Sequence, residues 1–159
     1  MNEDRFLGAG DEAETFDAPW GRSALSICYD LRFPELFRHY ALDGAEVILM
    51  PAEWPIPRIE HWRTLLKARA IENQCFIVAC NRVGTDRANG FGGRSAVIDP
   101  RGNVLIEAQD QPDLLVTTLN LDLIAEVRTF LPVFADRRPA VYKLDAAEQA
   151  LHLSRSHEA

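Results

Sequence analysis

Long hydrophobic runs, a signal peptide and an excess of positive charge are all absent from this sequence. No apolar stretch approaches the roughly 18 residues of a membrane span, because the apolar residues 47–50 are followed directly by Pro51. The amino terminus is charged and lacks the apolar core of a secretion signal. We therefore predict a cytoplasmic protein that does not bind a membrane.

Charge and cysteine usage exclude further classes of protein. The net charge of −7 over 159 residues argues against nucleic acid or an anionic membrane as the main partner. Three cysteines, an odd number, do not suggest a disulfide framework, and they fit a reducing compartment. Cys75 and Cys80 have the wrong spacing for a zinc knuckle, so we predict that both are core residues. The sequence carries no signature of a metal or an organic cofactor.

Apolar residues make up 47% of the chain and charged residues 26%, which is ordinary for a globular domain. The hydrophobic pattern predicts alternating strands and helices, and hence an α/β fold with a mixed sheet. The predicted hairpin covers residues 16–22 and leads into the strand before Cys28. The other predicted strands are 47–50, 76–79, 95–99, 104–107 and 114–119. The predicted helices are 34–44, 60–73 and 122–129, and the predicted loops are 53–59 and 84–93.

Polar side chains follow three of the predicted strands at the point where each ends. Cys28, residues 51–54, and the pair Asn81 and Arg82 occupy these positions. Ligands of α/β sheets bind beyond the carboxyl ends of the strands. We therefore expect these three segments, which are distant in sequence, to form one cleft.

Cys28 is the strongest candidate for a catalytic residue. It lies between a predicted strand and a helix that starts near Pro34, and a nucleophile at such a turn is exposed beside backbone N–H groups that can bind an oxyanion. Spacing alone is equally compatible with a small buried apolar residue. The polar residues directly after it, Tyr29, Asp30 and Arg32, favour a functional site.

Other residues in the predicted cleft have alternative roles. Glu53 is interpreted first as a polar wall and second as a base, and Trp54 as an aromatic wall. Arg82 either binds a substrate carboxylate through its planar fork or forms a structural salt bridge. Lys67 and His39 could assist a thiol, although a solvated helix face and helix packing are the simpler interpretations.

Residues 27–36, Ile-Cys-Tyr-Asp-Leu-Arg-Phe-Pro-Glu-Leu, resemble the cysteine motif of the nitrilase superfamily, the carbon–nitrogen hydrolases. The similarity extends from about residue 3 to residue 142 and is strongest to the ω-amidase branch. It rests also on residues 44–47, 51–55, 61–62, 68–74, 81–84, 95–102 and 136–139. The resemblance implies part of an αββα sandwich, with a mixed sheet and helices on one face. Residues 1–142 would be the C-terminal portion of that domain, and residues 143–159 a helical, partly disordered tail.

The resemblance also implies a mechanism with a Glu–Lys–Cys triad and no cofactor. Cys28 matches the nucleophile, the N–H of Tyr29 matches the oxyanion donor, and Glu3 matches an accessory glutamate. The triad glutamate and lysine have no match here, and no lysine occurs among the 27 residues before Cys28. We therefore expect this chain to be inactive or very weakly active by itself.

The predicted function is hydrolysis of a small linear ω-amide with release of ammonia, through a thioester on the cysteine. Arg32, Glu53, Trp54, Asn81 and Arg82 are the predicted substrate-binding residues. The alternative is a non-catalytic module for ligand binding or oligomerisation. Residues 130–142 resemble a segment that the family uses in subunit contacts, so we also predict a homodimer.

Overall fold

A mixed sheet of six strands forms the centre of the structure, a computed structural model that describes residues 5–142. Its strands run in the order β1-β2-β3-β4-β7-β8, and β5 and β6 pair separately as a hairpin. The strands are β1 (Thr15–Ala18), β2 (Gly21–Leu25), β3 (Val47–Ala52), β4 (Phe76–Asn81), β5 (Val83–Thr85), β6 (Gly90–Gly92), β7 (Ala96–Ile98) and β8 (Val104–Glu107). The helices are α1 (Pro34–Leu42), α2 (Ile59–Asn73), α3 (Asp122–Phe130) and α4 (Pro139–Tyr142).

The three central strands are parallel, and the outer strands are antiparallel to their neighbours. β2 pairs with β3 and β3 with β4 in parallel register, whereas β1, β7 and β8 each join by antiparallel pairing. The carboxyl ends of β2, β3 and β4 therefore meet at one edge. The prediction of a mixed α/β sheet is confirmed, and so is the convergence of the segments after these strands.

Helices α1 and α2 cover one face of the sheet because each presents an apolar stripe to it. In α1 the buried residues include Phe37 and Tyr40, and in α2 they include Trp62, Leu66 and Ala70, at the spacing of successive helical turns. These side chains join one core cluster with the sheet row Ala24, Ile48, Ile77 and Ile98. Pro34 begins α1, as Pro commonly does in a first turn.

The opposite face of the sheet is less covered. Its central row crosses five strands and consists of Leu25, Leu49, Val78, Val97 and Ile106, none of which is fully buried. Helix α3 covers one end of this face by packing Ile124 against Val47 and Phe76. The two long helices thus lie on one face as predicted, and the short α3 lies on the other.

Three sequence predictions differ from the structure. Residues 84–93, predicted as a loop, contain most of the β5–β6 hairpin. Residues 114–119, predicted as a strand, have no strand pairing, and Leu114 and Val116 are 87% and 80% exposed. Cys80, predicted in the core, is exposed, because side chains alternate along β4 and Cys80 shares the face of Val78, away from α1 and α2.

Some predictions fall outside what the structure tests. The proposed tail, residues 143–159, and Glu3 both lie outside the described residues. The predicted subunit contact through residues 130–142 stays a prediction. In the described part of the chain, no helix combines the length and the apolar character that crossing a membrane requires.

Candidate active site

A cavity of about 520 Å³ lies at the carboxyl ends of the parallel strands, within the size range of small-molecule sites. Five of the residues that line it were candidates from the sequence: Cys28, Tyr29, Arg32, Glu53 and Trp54. They come from the segments after β2 and β3, two of the three that were expected to form the cleft; Asn81 and Arg82, after β4, are not among the described lining residues. The cavity is therefore the candidate active site.

Cys28 is the first residue of a short 3-10 helix, Cys28–Arg32, at the sharp turn that follows β2. Its φ angle is 48°, in the left-handed region that residues with a β-carbon rarely adopt. The thiol is half-buried and lines the cavity. A strained residue that carries a nucleophile at a pocket is typical of a catalytic turn.

Asp30 stabilises the turn at Cys28 through hydrogen bonds to residues before and after it. Its carboxylate accepts a hydrogen bond from the N–H of Ile27 at 2.8 Å. The N–H of Asp30 donates to the carbonyl of Ile27 at 3.0 Å, and its carbonyl accepts from Phe33 at 3.0 Å. Cys28 therefore lies in a turn that local hydrogen bonds stabilise.

We expect Asp30→Ala to lower the free energy of unfolding by about 1 kcal/mol, the usual cost of losing a capping acceptor. Asp30→Asn keeps an acceptor oxygen and should lose less than half of that. Urea denaturation of the two variants checks this result. Equal losses in both would show that charge, and not the hydrogen bond to Ile27, stabilises the turn.

Arg69 connects the turn to helix α2. Although it carries a charge, this residue is 4% exposed. Its Nε and Nη2 donate to the carbonyl of Leu31 at 3.1 and 2.8 Å, and its Nη1 pairs with Glu72 at 2.8 Å. The segment after Cys28 is thus held by a buried cation that the local sequence around Cys28 does not predict.

Trp54 forms an aromatic wall of the cavity, as predicted, and is 3% exposed. Its indole N–H donates to the carbonyl of Arg58 at 2.7 Å, and its ring lies 5.6 Å from that of Trp62. The guanidinium of Arg32 lies 4.8 Å from the Trp54 ring centroid. Trp54 therefore connects the cavity to the core, whereas Trp62 is fully buried.

Asn81 ends β4 and is 4% exposed. Its Oδ1 accepts from the N–H of Trp54 at 2.6 Å, and its Nδ2 donates to the carbonyls of Gly93 at 2.6 Å and Trp54 at 3.3 Å. It is not among the described residues that line the cavity. Its amide is occupied by the backbone of two loops, so the contact with substrate predicted for it stays a prediction.

Arg82 and Glu53 form an ion pair, with Nη1 and Oε1 3.0 Å apart. The Arg82 guanidinium also lies 4.5 Å from the ring centroid of Phe91. Of the two roles left open for Arg82, the structure therefore shows the salt bridge. The substrate contact predicted for Arg82 is not tested by this geometry.

The two local residues considered as helpers of the thiol lie elsewhere. Lys67 is exposed on α2, which agrees with a solvated helix face. His39 is exposed, and its Nε2 lies 2.8 Å from the carbonyl oxygen of Ala13. Neither residue is part of the described cavity lining.

Five further lining residues were not identified from the sequence: Pro55, Arg58, Asp86, Asn89 and Phe91. The last three belong to the β5–β6 hairpin, which a bridge between Pro55 and Phe91 joins to the segment after β3. The spacing of Asp86, Asn89 and Gly90 is the turn signal that could have revealed the hairpin. Its position over the cavity depends on contacts between distant segments.

Asp86 remains ionised at the cavity wall. Its Oδ1 accepts the N–H groups of Ala88 and Asn89, each at 2.7 Å. These hydrogen bonds lower the pKa of the Asp86 carboxyl from its ordinary value, because they favour the charged form. At neutral pH this carboxylate therefore contributes a negative charge.

We expect two of the three thiols to react with iodoacetamide in the native protein at pH 8. Burial raises the pKa of the Cys75 thiol to about 12, so this group carries almost no thiolate and is closed to solvent. Intact-mass analysis should show two carbamidomethyl groups before denaturation and three after it. A third group added to the native protein would contradict the burial of Cys75.

Comparison with known proteins identifies relatives of this chain. The family model described as "Carbon-nitrogen hydrolase" matches residues 1–129. A 2-oxoglutaramate amidase of Bacillus subtilis (strain 168) is 46% identical over 142 residues, which is 89% of this chain and 55% of that protein. A carbon–nitrogen hydrolase superfamily protein of Xanthomonas campestris, with an arsenic adduct in its active site, superimposes with a TM-score of 0.80. It is 37% identical, over 86% of this chain and 54% of that one.

A third relative has a reactive cysteine in its own active site. The structure of an amidase mutant from Nesterenkonia, 28% identical with a TM-score of 0.74, shows covalent addition of the acetamide moiety of fluoroacetamide at the active-site cysteine. The match covers 87% of this chain and 49% of that one. The present chain spans about half the length of the curated relatives that it matches. The breadth of the family match and the level of identity are decisive: the chain belongs to the carbon–nitrogen hydrolase family of the nitrilase superfamily.

Proposed function

We propose that Cys28 is the nucleophile of an amidase that hydrolyses the terminal amide of a small carboxylic acid. The observation that carries this proposal is the position of the Cys28 thiol, on a left-handed turn at the wall of a cavity of about 520 Å³. Relatives that are amidases support the reaction class. The substrate of the Bacillus subtilis relative, as its name states, suggests an amide that carries a carboxylate.

The proposed reaction has two steps. The Cys28 sulfur attacks the amide carbon, and the N–H of Tyr29, in the first turn of the 3-10 helix, stabilises the oxyanion. The C–N bond breaks, the nitrogen takes up the thiol proton, and ammonia leaves an acyl thioester. Water then adds to the thioester, the C–S bond breaks, and the carboxylic acid and the thiol are regenerated.

The described cavity wall supplies only part of what this reaction needs. It contains two carboxylates, Glu53 and Asp86, and within residues 5–142 no lysine lines it. Glu53 is ion-paired with Arg82, so its carboxylate already has a partner within the chain. We therefore expect this chain to acylate with an activated ester but to hydrolyse unactivated amides very slowly.

The proposal is tested by combining two assays on the purified 159-residue chain. An activated ester, p-nitrophenyl acetate, should release one equivalent of p-nitrophenolate in a burst and leave an acetyl group on the peptide that contains Cys28. Ammonia release from a panel of short ω-amides should be near background. An acetyl group found on Cys80 alone would contradict the proposal.

The alternative function, a ligand-binding module that catalyses no reaction, predicts different results in the two assays. Such a module would bind short amides and show neither burst nor acetylated Cys28. The absence of lysine from the described cavity wall is the observation that favours this rival. A thermal shift with short amides, measured alongside the burst, separates the two functions.

A further inference from the structure

The charged residues that line the described cavity, together with Arg82, the ion-pair partner of Glu53, carry one positive charge more than negative, although the chain as a whole carries −7. Glu53 and Arg82 neutralise each other as an ion pair. The remaining charged groups of the described lining are Arg32, Arg58 and the ionised Asp86. Two guanidinium groups therefore outnumber the one remaining carboxylate, and this excess of positive charge favours a ligand that carries a negative charge.

The two guanidiniums differ in how their positions are fixed. Arg32 is in the same 3-10 helix as Cys28 and lies over the rings of Trp54 and Tyr29, with its guanidinium carbon 4.8 and 5.9 Å from their centroids. Such stacking positions a guanidinium and leaves its edge N–H donors available. Within the described residues no carboxylate lies within ion-pair distance of it.

Contacts within the protein fix the main chain of Arg58 but not its side chain. Its carbonyl accepts the indole N–H of Trp54 at 2.7 Å, and Pro55 and Pro57 restrict the backbone before it. In the part of the chain that the structure describes, its guanidinium has no ion-pair partner. An exposed arginine that lines a cavity can pair with an anion that arrives with the substrate.

We propose that Arg58 is a specificity-determining residue that binds the carboxylate of the substrate, with Arg32 beside it. This inference rests on the proposed function, since it places the scissile amide at Cys28 and the free carboxylate at Arg58. It also assigns different roles to the arginines around the cavity. Arg82 stabilises the loop through Glu53, whereas Arg58 selects amides that carry a negative charge over neutral amides.

Protection of Cys28 from alkylation by bound amides tests this assignment in the purified chain. The rate of iodoacetamide labelling at Cys28 is measured by peptide mass spectrometry at increasing concentrations of two amides. These are the monoamide of glutaric acid and pentanamide, which have the same five-carbon chain and differ in a carboxylate against a methyl group. The ratio of their half-protecting concentrations reports charge selection and cancels any general loss of structure.

In the wild type we expect the glutaric monoamide to protect at a concentration about 10-fold lower than pentanamide, as one charge-assisted hydrogen-bonded contact provides. Arg58→Gln should bring the ratio to within about 2-fold of unity, and Arg58→Lys should restore part of it. The matched control is Arg101→Gln, because Arg101 is ion-paired with Glu126 and does not line the described cavity. It should keep the wild-type ratio.

The outcomes separate the two proposals. Equal protection by both amides in the wild type, or an unchanged ratio in Arg58→Gln, would overturn the role of Arg58 and leave the proposed amidase function standing. A failure of both amides to slow the labelling of Cys28 would remove the proposed function, and the role of Arg58 would fall with it.

Discussion

Cys28→Ala is expected to abolish the p-nitrophenolate burst, with a fall of at least about 100-fold in the acylation rate, because a nucleophile has no substitute in covalent catalysis. Alanine keeps the β-carbon and removes only the sulfur, so the turn of residues 28–32 retains its geometry. Stopped-flow absorbance measures the burst, and mass spectrometry locates the acyl group.

Cys80→Ala is the matched control, since Cys80 is exposed and does not line the described cavity. This variant should give the full burst of the wild type. Circular dichroism should show that both variants are folded. A burst that survives in Cys28→Ala would refute the assignment of the nucleophile, whatever its size in the control.

Asn81→Ala is expected to lower the free energy of unfolding by about 3 kcal/mol. The change leaves the N–H of Trp54 and the carbonyls of Trp54 and Gly93 without their partner, in a place closed to water. Each buried group that loses its hydrogen bond costs about 1–3 kcal/mol, and relaxation of the loops recovers part of the sum. Urea denaturation followed by tryptophan fluorescence measures the loss.

The matched control for this prediction is Asn120→Ala. Asn120 is exposed, and its Oδ1 accepts one hydrogen bond, from the N–H of Asp122 at 3.2 Å. We expect a loss below about 1 kcal/mol for this variant, as is usual for a surface site. Similar losses at both positions would show that Asn81 does not hold the two loops together.

The sequence was informative wherever a segment's own pattern decides its structure. Helix α2 follows from the spacing of Trp62, Leu66 and Ala70, and β3 follows from the apolar run after residue 46. The convergence of Cys28 and Glu53 was also predictable, because parallel strands end at the same edge of a sheet. These conclusions need only local periodicity and the geometry of a parallel sheet.

The remaining features depend on contacts between segments far apart in the chain. Arg69 looks like any charged helix residue until its partner, the carbonyl of Leu31, is known. Residues 114–119 have the composition of a strand, yet a strand exists only where another strand pairs with it. Arg58 was overlooked for a similar reason, since neither its place in the cavity nor its lack of a described carboxylate partner can be deduced from neighbouring residues.

The left-handed backbone at position 28 has a consequence for how this protein can change over time. Any residue with a β-carbon costs about 1 kcal/mol there relative to the ordinary helical region, and glycine would adopt the same φ of 48° without that strain. Selection for stability of the folded state and selection for the proposed reaction of the Cys28 thiol therefore act in opposite directions at this position. A library screened for heat resistance alone would accumulate glycine at position 28, and the surviving variants would be more stable and would lack the Cys28 thiol.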